Sequence, residues 1–159
     1  MLDYPYMAHI HELIDWTAGA YIVYNDKVLI RKHEKYGIWI HVGGHVELDE
    51  DPVSCVIREC KEEVGLDVKV HGAENAYEYE DRIRGRTLPL PAHMNIHWVN
   101  ETHQHLDLLY YCSSDTDKVA PENHDDQWVW LTADEVKNHK EMSEQIKFYA
   151  LGALETLAS

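Results

Sequence analysis

Gly44-His45-Val46-Glu47-Leu48-Asp49-Glu50, then Asp51-Pro52-Val53-Ser54-Cys55-Val56-Ile57, then Arg58-Glu59-Cys60-Lys61-Glu62-Glu63-Val64-Gly65-Leu66, is the stretch on which the fold turns. It reads as a helix bounded at both ends. Asp51 is an N-cap residue type, and Pro52 suits the first helical position. Gly65 is the C-terminal stop. Between them Val53, Val56, Ile57, Cys60 and Val64 follow i, i+3, i+4, i+7 and i+11, which makes one apolar stripe. At about 100° per residue, Glu59, Glu62 and Glu63 fall together away from that stripe. Carboxylates at that spacing repel, each like-charge pair costing roughly 0.2–0.5 kcal/mol. An acidic helix face is usually only a solvated face, and Arg58 and Lys61 soften this one. The glycines on both flanks and the regularity of the whole stretch favour a function for the charges.

The pattern resembles the Nudix box, G-x5-E-x7-R-E-U-x-E-E-x-G-U with U apolar. Gly44, Glu50, Arg58, Glu59, Cys60, Glu62, Glu63, Gly65 and Leu66 meet every fixed position, with Cys60 and Leu66 taken as apolar. Members of that family cleave phosphoanhydride bonds with divalent metal ions. The resemblance implies that Glu59, Glu62 and Glu63 bind metal and that the Gly43 carbonyl adds a ligand. It also implies that Arg58 holds a box carboxylate by hydrogen bonds and that Glu50 supports the metal shell. Glu47 either joins that shell or stays a solvated loop residue. Hard oxygen donors suit Mg²⁺ or Mn²⁺, the expected cofactor. Such an ion acidifies water and neutralises phosphate charge, while a carboxylate takes the proton. Glu59 is the first choice for that base. Family members also use a distant loop, for which Glu122, Asp125 and Asp126 are the candidates, against a plain polar surface loop.

The remaining sequence extends the resemblance over about residues 12–158, within one domain of 1–159. Thr17 to Tyr24 and Lys27 to Lys32 are β-rich runs around the turn signal Asn25-Asp26 and predict a hairpin. Ile38 to Val42 is a short strand leading into Gly43-Gly44. Past the box, Asp67–His71, Ala76–Tyr79, His93–Val99, His105–Cys112 and Gln127–Leu131 read as strands. Thr132 with Glu135 three residues on is a capping-box start. Ser143 caps a closing helix to about Leu157. Strands interrupted by helices around a mixed sheet predict an α/β/α sandwich, which is also the Nudix fold.

Composition excludes several functions. With 29 acidic against 14 basic residues and a net charge of −15, the chain lacks the positive surface that nucleic-acid polymers require. A nucleotide substrate stays open, because a bound metal reverses the local field. The sequence predicts neither a membrane-spanning run nor a signal peptide. Cys55, Cys60 and Cys112 have no metal-ligand spacing and read as reduced core residues of a cytoplasmic protein. The twelve histidines make the charge sensitive to mildly acidic pH. Either a monomer or a homodimer is compatible with the sequence.

Substrate choice lies outside the box. Arg31 or Lys32, in a basic group with His33 and Lys35, can contact a phosphate, or the group is an ordinary strand end. Arg82, Arg84 and Arg86 form either a loop over an anionic substrate or a solvated one. Alternation places His93, Asn95, His97 and Val99 on one strand face, and His105, Asp107, Leu109 and Tyr111 on one face of the next. With 100–104 as the loop, Val99 faces His105 and His97 faces Asp107. His97, His105 and Asp107 then line the substrate cleft, form a structural pair, or hold zinc or nickel. Two further features bear on class. Ile40-His41-Val42 precedes the glycine pair where many family members have proline, a change to loop stiffness that also leaves His41 near the metal site. No coenzyme A signature precedes the box, and Glu80-Asp81-Arg82-Ile83 lacks the proline of the ADP-ribose class. Tyr77 and Tyr79 lie where dinucleoside polyphosphate hydrolases tend to place a tyrosine.

Three functions follow. The first is metal-dependent hydrolysis of a nucleoside diphosphate linked to another group, nucleoside triphosphates included. The second is prenyl diphosphate isomerisation, which needs a nucleophilic cysteine that Cys55 and Cys60 are poorly placed to supply. The third is a silent nucleotide sensor, which tends to lose the glutamates that this chain keeps.

Overall fold

A computed structural model describes residues 11–33, 36–72, 85–122 and 124–158. β1 (Ile14–Tyr24) and β2 (Lys27–His33) form the expected hairpin, with Asn25 at φ 52° in its turn. Asparagine tolerates that left-handed backbone because its short polar side chain bonds locally. The single strand expected over Ile38–Val42 is two: β3 (Ile38–Ile40) pairs with β2, and β4 (Val42–His45) pairs with β1 and contains both glycines. The chain changes partner at His41 because β1 pairs with β4 over Thr17–Ala20 and with β2 only from Ile22 onward.

The box helix is α1 (Pro52–Val64). Asp51 accepts hydrogen bonds from the Val53 and Ser54 backbone N–H groups at 2.9 and 3.0 Å, and Gly65 ends the helix at φ 71°. Its buried residues are Cys55, Val56, Cys60 and Val64, while Ile57 is 46% exposed. The apolar stripe therefore runs on the Cys55 side of Val56, because the helix rolls its carboxylate face toward β4. Burial of Val56 and Val64 contributes roughly 1.5–3 kcal/mol each.

β5 (Val68–His71), β6 (His93–Trp98), β7 (Gln104–Ser114) and β8 (Gln127–Thr132) complete the sheet, followed by α2 (Ala133–Asn138) and α3 (Glu144–Leu157). The main strand order is β3-β2-β1-β7-β5, with β4 on β1, β6 on β7 and β8 on β2. Among the described residues only β1 and β7 pair in parallel, so the sheet is mixed. Thr132 and Glu135 form the reciprocal capping box, and Ser143 caps α3. The strand expected over Ala76–Tyr79, along with Tyr77, Tyr79, Arg82, Arg84 and Lys35, lies outside the described residues.

Alternation along the central strands separates two cores. Ala18, Ala20, Ile22, Leu108 and Tyr110 pack on α1. Tyr21, Val23, Leu109 and Tyr111 pack on α2 and α3, against Val136, Tyr149, Ala153 and Leu154. The result is the α/β/α sandwich, and both cores are apolar wherever a helix covers the sheet. No described helix is long and apolar enough to cross a membrane.

Burial raises the Asp51 carboxyl, but bonds from Ser54, the Arg86 guanidinium and Val53 outweigh it, and its pKa lies below the usual value. A depressed folded pKa contributes stability above the unfolded value that is lost as pH falls. Asp51→Ala is expected to cost about 1 kcal/mol at neutral pH. The gap from wild type should narrow below about pH 4, read from urea midpoints at both pH values.

Candidate active site

Arg58 gathers the box. Its Nε and Nη2 donate to the two Glu50 carboxylate oxygens at 3.1 and 2.6 Å. Nη1 donates to Glu59 at 2.7 Å and to Glu62 at 3.1 Å, and Nη2 also reaches the His45 carbonyl at 3.1 Å. The hydrogen bond to Glu50 raises the arginine's pKa further, and the same bond holds Glu50 below the usual carboxylate range. Glu47 is exposed, and its backbone N–H caps Glu50 at 3.0 Å.

Glu59 and Glu63 face the backbone of β4. A Cβ on Gly44 would meet the Glu59 carboxylate, which would have to move from its present place. The Gly43 N–H donates to Glu63 at 3.1 Å. Burial raises the Glu59 carboxyl, against the pull of Arg58. It raises Glu63 to about 7, with Glu59 and Asp126 adding to the rise and Arg31 opposing it. Glu62 sits further out, its side chain 55% exposed.

Arg31 closes the far side. Its guanidinium bonds Glu63 at 2.8 Å and Asp126, and it lies over the Trp128 ring at 5.4 Å. Of the three loop acids, Asp126 is buried against this cluster. Glu122 and Asp125 are exposed, although the Glu122 N–H anchors the loop on the Glu63 carbonyl at 3.1 Å. Lys32 departs from the expectation of a phosphate contact. Alternation along β2 turns it to the opposite sheet face, where it bonds Glu141 at 2.8 Å beside Trp39. Arg86 is paired with Asp51 at the start of α1.

A cavity of about 640 Å³ opens beside the glycine pair, lined by Arg31, Gly43, Gly44, Tyr36, Ile38 and Ile40 on one side. Thr17, His41, His45, His97, His105 and Asp107 line the other. The β6–β7 register differs from the expectation by two residues: His97 faces His105, and Asn95 faces Asp107. The turn is tighter than expected because the Val99 and Asn100 N–H groups close onto the His103 carbonyl. Asp107 instead accepts from the Thr17 hydroxyl at 2.9 Å and lies 3.6 Å from His41 Nε2. Burial lowers the pKa of His41, so this approach is a polar contact of a neutral ring. The exposed His97 bonds Asn95. The grouped metal-ligand types are therefore not His97, His105 and Asp107 but Asp15, His103 and His105. Asp15, Thr17, His45 and His103 carried no local sequence signal beyond the abundance of histidine.

The box fits a divalent ion. Glu59 and Glu63 are partly buried carboxylates whose charged forms burial disfavours, and a hard cation relieves both. All three cysteines are buried thiols whose pKa values burial pushes up.

The α/β/α sandwich with the box helix against the glycine pair is a fold that can be compared with known proteins. The NUDIX domain model matches residues 14–152. CTP pyrophosphohydrolase of Escherichia coli (strain K12) is 29% identical over 103 residues, covering 61% of this chain and 74% of its own. A NUDIX-family hydrolase structure from Clostridium perfringens has a TM-score of 0.77 at 29% identity, covering 89% of this chain and 97% of that one. A MutT NUDIX hydrolase structure from Burkholderia pseudomallei has a TM-score of 0.61 at 20% identity over 92% and 100% of the two chains, which shows the fold alone. This chain belongs to the Nudix family and is a pyrophosphohydrolase.

A carboxyl whose folded pKa is raised, as that of Glu63 is, contributes stability below its unfolded value that is lost as pH rises through about 7. The metal-free protein is therefore expected to lose Tm between about pH 5 and 7.5. Glu63→Gln should flatten that slope, and Mg²⁺ should reverse it in wild type only. Scanning calorimetry in chelator and in Mg²⁺ reads all three.

Proposed function

We propose that the chain hydrolyses, with Mg²⁺ or Mn²⁺, the phosphoanhydride of a nucleoside diphosphate linked to a further group, with a nucleoside triphosphate as its first substrate. The observation that carries this reading is the packing of the partly buried Glu59 and Glu63 against the Gly43–Gly44 backbone, which itself lines a cavity of about 640 Å³. Volumes of roughly 300–1,000 Å³ suit small-molecule ligands. The similarity to a CTP pyrophosphohydrolase supports the triphosphate choice.

Glu59, Glu62, Glu63 and the Gly43 carbonyl would hold the ion. When bound, the ion lowers the pKa of water and neutralises charge on the phosphate oxygens. Glu59 takes the proton from the attacking water, and burial raises its carboxyl toward the range a base needs near neutral pH. Arg58 holds Glu59 and Glu62 in register while Glu50 anchors the guanidinium. Arg31 fixes Glu63 and Asp126 and lies in the cavity wall within reach of a phosphate. Tyr36, Ile38 and Ile40 offer the apolar and aromatic surface that a nucleobase uses. The isomerase alternative loses support because buried thiols with raised pKa values are poor nucleophiles. The sensor alternative loses it because every box carboxylate is retained.

The test is incubation with Mg²⁺ and a panel of nucleoside triphosphates, nucleotide sugars, ADP-ribose and dinucleoside polyphosphates, with products identified by mass. A nucleoside monophosphate and pyrophosphate are expected from a triphosphate. Glu59→Gln should lower kcat by about 10²–10⁴-fold with KM little changed. Turnover confined to another class would displace the triphosphate, and wild-type kcat in Glu59→Gln would remove Glu59 as the base.

A further inference from the structure

Where β1 and β7 start and β4 ends, on one wall of the cavity, the sheet buries polar groups to which the proposed hydrolysis assigns no role. Asp15 is fully buried, and His103 and His105 are 3% and 8% exposed. One ligand atom from each lies within 4.8 Å of the others. Asp15 Oδ2 is 3.0 Å from His103 Nε2 and 3.4 Å from His45 Nε2. The His45 and His105 rings meet edge to face, with centroids 4.8 Å apart.

Two observations point to a ligand. First, His105 Nε2 is buried with no hydrogen-bond partner. An unpaired buried donor or acceptor costs about 1–3 kcal/mol. Second, both His103 nitrogens face oxygen acceptors, Nδ1 the Glu12 carbonyl at 3.3 Å and Nε2 Asp15. Asp15 thus already draws one ring nitrogen of His103 toward the cluster. A cation among Asp15 Oδ2, His103 Nε2 and His105 Nε2 gives the orphaned His105 nitrogen a partner. It leaves Nδ1–H of His103 on the Glu12 carbonyl, which is how ligating histidines are usually oriented.

We propose that Asp15, His103 and His105, with His45 as a fourth donor, form a second metal site that takes a transition ion of the Zn²⁺ class. Three imidazoles and one carboxylate are the donor set of such ions rather than of Mg²⁺. Bonds of 2.0–2.2 Å put tetrahedral ligand atoms about 3.4 Å apart. The Asp15–His45 distance of 3.4 Å matches that spacing, and the Asp15–His103 distance of 3.0 Å is shorter by 0.4 Å. The site joins the start of β1 and β7 to the end of β4. His45 gives its ring to this cluster and its carbonyl to Arg58, so a filled site steadies the loop that carries Glu50.

The test uses the full chain, stripped with chelator and titrated with Co²⁺ in a large excess of Mg²⁺, which occupies the box. One equivalent is expected to bind with the intense visible bands of a four-coordinate ion, and Zn²⁺ should displace it. The bands should vanish in His105→Ala and persist in Glu63→Gln. Absence of the bands in wild type, their survival in His105→Ala, or their loss in Glu63→Gln would overturn the proposal. Should circular dichroism show His105→Ala unfolded, His45→Asn carries the test. At least about tenfold weaker Co²⁺ binding is then expected, and unchanged affinity and spectrum refute the site.

Discussion

Two glutamates pressed under the backbone of a two-glycine strand set the terms for the rest of the molecule. The Glu59 carboxylate sits where a side chain on Gly44 would stand, and Gly43 donates its N–H to Glu63. Carboxylates placed there lose water, and their pKa values rise. That cost is met by cations on either side. Arg58 reaches from within the helix and Arg31 from β2. The roll of α1 that leaves Ile57 exposed and buries Cys55 follows from the same contact.

The cavity follows from how the sheet is divided. β1 pairs with β4 along its first half and with β2 along its second, so the chain between β3 and β4 crosses a gap in the sheet. Neither core fills the ground beside it, since the α2–α3 layer covers Tyr21, Val23, Leu109 and Tyr111. Toward the start of the same strands, the same face carries Asp15, Thr17, His105 and Asp107 instead. Polar groups are tolerated there because they bond one another, as Thr17 does Asp107 and His103 does Asp15.

Much of this was legible in residue order. The box helix, its Asp51 and Gly65 caps, the hairpin at Asn25-Asp26, the Thr132–Glu135 box and the Ser143 cap are local events. Each depends on contacts within a few residues, and each stands in the structure as read. The break at His41 was not legible, because a run of β-formers gives no sign of where it changes partner. The side chosen by Lys32 depended on which face α2 and the following segment cover. The β6–β7 register depended on a turn closed by Val99 and Asn100 on His103, two residues tighter than the polar stretch suggested.

The sequence by itself determined the chemistry of the box, since helical periodicity alone brings Arg58, Glu59, Glu62 and Glu63 onto neighbouring turns. Only the tertiary structure decided what that chemistry faces. Asp15 and His103 are 88 residues apart, Arg31 and Asp126 are 95 apart, and Thr17 and Asp107 are 90 apart. Such pairs meet through the parallel register of β1 on β7 and the packing of β8 on β2. Register of that kind is set by which side chains the helices bury, a property of the assembled sheet and not of any one strand.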